Sequence, residues 1–176
     1  MSQALAPYVD TIRGIDISSG MVEQYNRLAQ KHGYDSSAMH AVHGDFVDAR
    51  TNPSVDLDGP EFSDFDLITM SMALHHVEDP ESLIKTLSGR LRVGGVLLII
   101  DWVSASESGC SSAGPPADGP VRHIVAYMGF ERRQLDDWFA NSGLETFGWR
   151  WFSSQSELPG EMGGAKQGFL ARAMKA

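Results

Sequence analysis

The chain reads as an α/β fold built on a largely parallel sheet covered by helices, and three observations predict it. Strand-like and helix-like segments alternate along its length. Two strand-like runs, Phe65–Met70 (FDLITM) and Val96–Trp102 (VLLIIDW), are apolar almost throughout, as strands covered on both faces are. Each run then turns polar at its end, where ligands sit in doubly wound folds.

The elements follow in order. Thr11–Ile17 (TIRGIDI) is a short, branched run closed by an acid, and Ser18 and Ser19 after it are good helix N-caps. Met21, Val22, Tyr25, Leu28 and Ala29 recur at spacings of three and four, which predicts a helix with one apolar stripe that stops at His32-Gly33. Ala38–Val42 is the next strand. Residues 48–63 carry Pro53, Gly59, Pro60 and several acids, and read as a surface insertion with little structure. FDLITM follows as a central strand buried on both faces. Asp79-Pro80-Glu81 opens a helix whose stripe is Leu83, Ile84, Leu87 and Leu91, and Gly94-Gly95 closes that unit. After VLLIIDW, the Ser, Gly and Pro density of residues 103–120 predicts a flexible loop. Glu131–Asn141 is a helix stopped by Gly143, and Leu144–Phe152 and Gln167–Met174 are strands. The stretch beyond the loop is too short for a second core, so residues 1–176 are expected to form one domain.

Composition excludes several function classes. Fourteen basic against twenty-three acidic residues give a net charge of −9, a field that repels nucleic acid and anionic membrane, so no nucleic-acid or membrane partner is expected. Cys110 is the single cysteine, which rules out an intramolecular disulfide and suits a reducing, cytoplasmic setting. No apolar run approaches the roughly 18 to 20 residues that span a bilayer. Residues 1–10 lack the pattern of a secretory signal.

The chemistry is expected at the strand ends. Asp16 in GIDI can accept from the vicinal hydroxyls of a ribose, or simply lead into the next helix. Asp45 in HGDF can accept from an adenine amino group while the Phe46 ring packs on the base, or hold an ordinary turn. After FDLITM comes SMALHHVEDP, with His75 and His76 where an acceptor would approach. GIDIS, HGDF, FDLITMSMALHHVEDP and LRVGGVLLIIDW, in this order and spacing, resemble the successive motifs of class I S-adenosylmethionine-dependent methyltransferases of small-molecule type. The resemblance runs from about residue 2 to the C-terminus and is densest over residues 11–102. It implies a Rossmann-like methyltransferase sheet with an antiparallel C-terminal strand, S-adenosyl-L-methionine as cofactor and a small-molecule acceptor. It places Asp16 on the cofactor ribose with Ile17 and Met21 beside it, Asp45 and Phe46 at the adenine, and Ser71 and Met72 at the methionine part. The segment VRHIVAYMGFERRQL resembles the stretch that closes the family's pocket, which adds His123 to His75 and His76 as a candidate base. Packing and capping are the competing reading of the His75-His76 pair. Asp101 and Trp102 are candidates for the acceptor pocket. A metal site from His75, His76, Glu78 and Asp79 is not expected, since adjacent residues on one turn seldom converge.

One motif departs from the family. Among 18 glycines no two are separated by a single residue, so the phosphate-side G-x-G is absent, and the resemblance implies a missing first strand and glycine loop. In the family sheet that strand is central, so the chain is expected to be N-terminally truncated, or to pair as a homodimer or with a strand-donating partner. A noncatalytic remnant, acting as pseudo-enzyme or interaction module, is therefore the alternative to an active methyltransferase. A nicotinamide-dependent oxidoreductase shares the acidic strand end but not the LHHVEDP and LRVGGVLLI segments.

Overall fold

Ser18 explains where the first long helix starts: its Oγ accepts from the amide of Met21 at 3.4 Å, satisfying one of the donors a helix N-terminus leaves open. The helix it caps, Ser19–Lys31, buries Val22 and Ala29 and ends where Gly33 takes φ 85°. In the computed structural model, which describes residues 1–47, 55–109, 125–158 and 164–176, this helix belongs to the first of two compact units, Met1–Ser63 and Asp64–Ala176.

The first unit opens with α1 (Ser2–Leu5) and continues through β1 (Ile12–Asp16), α2 (Ser19–Lys31) and β2 (Met39–His43). β1 and β2 run parallel in register from Ile12 opposite Met39 to Asp16 opposite His43. Asn26 of α2 clamps the far side of β2: its amide nitrogen donates to the Ala41 carbonyl at 2.9 Å and its oxygen accepts from the Ala41 amide at 2.8 Å. The insertion expected to lack structure, residues 48–63, is anchored over its described part. Pro60–Phe62 forms a 3₁₀ turn, Phe62 is buried, and Glu61 takes a 3.0 Å hydrogen bond from Arg13. A lone aromatic among acids and prolines carries no periodic signal, which is why the anchor is invisible in the sequence.

The second unit holds β3 (Phe65–Ser71), a 3₁₀ turn (Leu74–His76), α3 (Pro80–Arg90), β4 (Leu91–Trp102), α4 (Ala105–Ser108), α5 (Arg132–Asn141), β5 (Leu144–Trp151), the short pair β6 (Ser156–Glu157) and β7 (Ala165–Lys166), and β8 (Gly168–Lys175). Four strands form a sheet in the order β3-β4-β8-β5. β3 and β4 are parallel, while β8 is antiparallel to both β4 and β5. The resulting mixed sheet is the Rossmann-like arrangement expected. Leu97 and Ile99 of β4, Phe169 of β8, Phe130, and Leu135 and Phe139 of α5 are fully buried in its core.

Two expectations are corrected. β3 is not buried on both faces: its central residues stay half-buried, and the strand lies at the edge of its sheet, paired with β4 alone among the described residues. Gly94-Gly95 does not end the helix, which stops at Arg90 with Leu91 opening β4 directly. Gly95 instead lies where the β3–β4 register slips between Phe65 and Leu67, and a Cβ there would stand 2.6 Å from the Phe65 carbonyl oxygen. Within the expected flexible loop, residues 105–108 form α4, whose Ser106 hydroxyl donates to Glu131 at 2.7 Å; residues 110–120 lie outside the described residues.

Asp79 caps α3 by accepting from the Ser82 amide at 3.1 Å. Hydrogen bonds from the Ser82 side chain, and then from its backbone, hold the Asp79 carboxyl below its ordinary value. A lowered folded value means that the unfolded chain takes up the proton first as acid is added. The stabilisation is therefore complete above the ordinary carboxylate range and is lost as pH falls through the folded value. Thermal melts of wild type and Asp79→Ala should differ at neutral pH and converge in acid; a gap that persists unchanged in acid would contradict this origin.

Candidate functional site

At the carboxyl end of the first unit's parallel pair, Asp16 and Asp45 come out on the same rim. Asp16 stands opposite His43 in the ladder, and the Gly44 amide donates to the Asp16 carbonyl at 3.1 Å, so Asp45 follows directly beside it. Each carboxylate uses one oxygen to hold its own turn. Asp16 Oδ1 accepts from the Ser18 amide at 2.8 Å, and Asp45 Oδ1 from the Val47 amide at 2.7 Å. The helix cap is Ser18, so Asp16 shapes the entry into α2 without capping it. The second oxygen of each acid makes no hydrogen bond among the described residues. His43 Nε2 donates to the Ile17 carbonyl at 3.0 Å and pins the turn, while the side chains of Ile17 and Met21 are exposed. Phe46 is half-buried. Two open carboxylate oxygens on one rim, with apolar side chains bared beside them, suit a polyhydroxylated sugar carrying a flat base.

A cleft of about 640 Å³ in the same unit is lined by Arg13, Asn26, Ser37, Met39, His40 and Glu61. It lies at the opposite, amino end of β1 and β2. There the Arg13 guanidinium already serves Glu61, Ser37 and its own main chain, and that cleft offers a ligand few open groups.

The second unit has its own rim, at the ends of β3 and β4. Ser71 is exposed, and Met72 after it takes φ 53°, a left-handed conformation that costs a residue other than glycine about 1 kcal/mol or more. Its amide donates to the Ile100 carbonyl at 2.8 Å, which holds the strained turn. Strain of this kind is common where a backbone must approach a ligand. The next turn carries His75, whose ring Nδ1 meets Asp101 Oδ1 at 2.8 Å and whose amide donates to Asp101 Oδ2 at 3.2 Å. Trp102 adds its own amide to Asp101 Oδ1 at 2.8 Å. Asp101 is 0 % exposed and His75 8 %, so the pair is sheltered from water. An ionised carboxylate only accepts, so Nδ1 is the donor in this contact and Nε2 is the ring nitrogen turned away from Asp101. Nε2 has no partner among the described residues. His76 is exposed, with its ring centroid 4.0 Å from that of His75. His123 lies outside the described residues.

The His75 carbonyl accepts from the amides of Ala126 and Tyr127 at 2.9 and 3.0 Å. This docks a segment whose Phe130 pairs with Val103 and whose Tyr127 ring stacks on Phe130 at 5.3 Å. Gly129 permits the approach: at φ 154° it passes so close to Val103 that a Cβ would stand 2.6 Å from the carbonyl oxygen. Lys166 reaches over Trp102, its ammonium 5.9 Å from the ring centroid. Burial pushes the Lys166 amine below its ordinary value, and the charge of Asp101 pulls it the other way. The sequence marked Asp101 and Trp102 only as pocket lining. The bond of Asp101 to His75, 26 residues away, could have been found from two apolar runs that end side by side. Lys166 left no signal, since nothing near it is periodic.

Comparison with known proteins bears on what these rims belong to. The methyltransferase-domain family matches residues 1–97. An uncharacterized methyltransferase of Schizosaccharomyces pombe is 28% identical over 144 residues, covering 82% of this chain and 49% of the relative. A ubiquinone biosynthesis O-methyltransferase of Xanthomonas oryzae pv. oryzae is 28% identical over 99 residues, 56% of this chain and 37% of the relative. The chain thus spans about half, or less, of the length of these curated relatives. Among solved structures, a SAM-dependent methyltransferase from Methanosarcina mazei shares the fold with a TM-score of 0.65 at 18% identity, over 99% of this chain and 86% of that one. Acids at the ends of adjacent parallel strands, a mixed sheet closed by an antiparallel strand and a family match over more than half its length converge: the chain belongs to the class I S-adenosylmethionine-dependent methyltransferases.

Proposed function

We propose that this chain serves methyl transfer from S-adenosyl-L-methionine to a small organic acceptor, with His75 removing the acceptor's proton. The observation that carries the reading is the shared rim of Asp16 and Asp45, each with one carboxylate oxygen open. In this reading Asp16 holds the ribose hydroxyls, Asp45 and Phe46 meet the adenine, and Ile17 and Met21 cover apolar surface of the nucleoside. Ser71 and Met72 take the methionine part, on a backbone held left-handed at Met72. When bound, the donor supplies a methyl carbon on a sulfonium sulfur. The protein's part is to align the acceptor and accept its proton. His75 suits the second task because its lone pair lies on the ring nitrogen turned away from Asp101. An oxygen acceptor fits a relative named as an O-methyltransferase. The net charge of −9 supports a small ligand and not a polyanion. Among the described residues no helix is long and apolar enough to cross a membrane.

Calorimetric titration with S-adenosylhomocysteine tests the reading without an acceptor. Saturable binding is expected. Asp16→Asn keeps an oxygen for the Ser18 amide and loses the charge, so it should weaken binding by about tenfold or more. Absence of heat from the wild-type protein would leave the noncatalytic remnant as the better account. Equal affinity of the variant would remove Asp16 from the site.

A further inference from the structure

Asp101 is the buried acid of the described residues, and its position has no ready explanation in stability. It follows Ile99 and Ile100 in an apolar strand and stands opposite Phe169 across the ladder. Taking a carboxylate out of water costs several kcal/mol, and apolar replacements of buried ion pairs are often neutral or stabilising. What the carboxylate does here is specific. Oδ1 accepts from the His75 ring and from the Trp102 amide, while Oδ2 accepts from the His75 amide, so both ends of His75 are gripped by one group. The imidazole can then neither turn about its χ angles nor exchange its proton to the other nitrogen without breaking a sheltered bond.

We propose that Asp101 is a positioning residue: it locks His75 in the Nδ1–H form and so restricts the acceptor to a compound whose reacting atom bears a removable proton, a hydroxyl above all. In the step this permits, the acceptor O–H bond breaks and its electron pair stays on oxygen. The proton joins Nε2, and the resulting imidazolium keeps its Nδ1–H bond to Asp101, whose negative charge balances it. Water later carries the proton away. Acceptors that react at an atom without a proton gain nothing from this arrangement. The acceptor class rests on the methyl-transfer reading above; the state of the ring does not.

The test uses the full chain labelled with ¹⁵N-histidine and two-bond proton–nitrogen correlation spectra at a pH where the rings are neutral. The His75 signal is identified by its loss in His75→Gln. Wild-type His75 should show the Nδ1–H pattern. Asp101→Asn, which can present an N–H to the ring, should shift it to the Nε2–H pattern. An Nε2–H pattern in the wild type, or a pattern unmoved in a folded Asp101→Asn, overturns the proposal. Should Asp101→Asn not fold by circular dichroism, the wild-type spectrum alone decides. The two readings fail separately: heat with S-adenosylhomocysteine and the wrong ring pattern sinks only this inference, whereas the right pattern without heat sinks the donor site and leaves the locked ring.

Discussion

Exchange of His75 for glutamine is expected to lower kcat about 100- to 10,000-fold, the range that loss of a general base produces. The expectation holds for any hydroxyl acceptor that the wild-type protein methylates, followed by formation of S-adenosylhomocysteine. Glutamine is the informative replacement because its amide can still donate to Asp101, so the buried acid is not left without its partner. The affinity for S-adenosylhomocysteine should stay as it was, since the proposed reading assigns the ribose and the adenine to Asp16 and Asp45 and not to His75. A variant that keeps wild-type kcat would show that proton removal is done by solvent or by another group. One that loses affinity and rate together would place His75 in binding.

Truncation of Phe130 to alanine is the larger structural perturbation, expected to cost about 3–5 kcal/mol. Its ring is fully buried and meets Tyr127 at 5.3 Å, Trp138 at 6.1 Å and Phe169 at 6.4 Å between centroids. Three aromatic neighbours cannot collapse together into the vacated volume, because each is tied to a different element: the docked segment, α5 and β8. Against a total stability of about 5–15 kcal/mol, such a loss takes away a large share. Urea titration should show a lower midpoint with an unchanged slope, and Phe130→Leu should lose less. A change below about 1 kcal/mol would mean that the cavity refills, which good packing forbids.

What could be read from the sequence was the part written in periodicity. Met21, Val22, Tyr25, Leu28 and Ala29 announce α2, and the Asp79-Pro80-Glu81 start of α3 is where the structure has it. The strands were placed by apolar runs and the acids by their ends, so Asp16 and Asp45 fall on one rim as their positions require. What escaped was long-range. Whether FDLITM is covered on one face or two depends on what lies beside it, and no residue in the strand encodes that. The Gly94-Gly95 pair looks like a helix stop in a one-dimensional reading and is a passage for the neighbouring strand in three. The His75–Asp101 bond joins residues at the ends of two strands, and adjacent histidines alone gave no hint which of them is buried.

His75 also faces two ways along its own length. Its imidazole is held by Asp101, while its carbonyl is the hook on which Ala126 and Tyr127 hang. Only the first of these depends on which amino acid occupies the position, because every residue brings the same carbonyl. Evolution or a protein engineer can therefore change the side chain that Asp101 holds and still keep the aromatic segment moored.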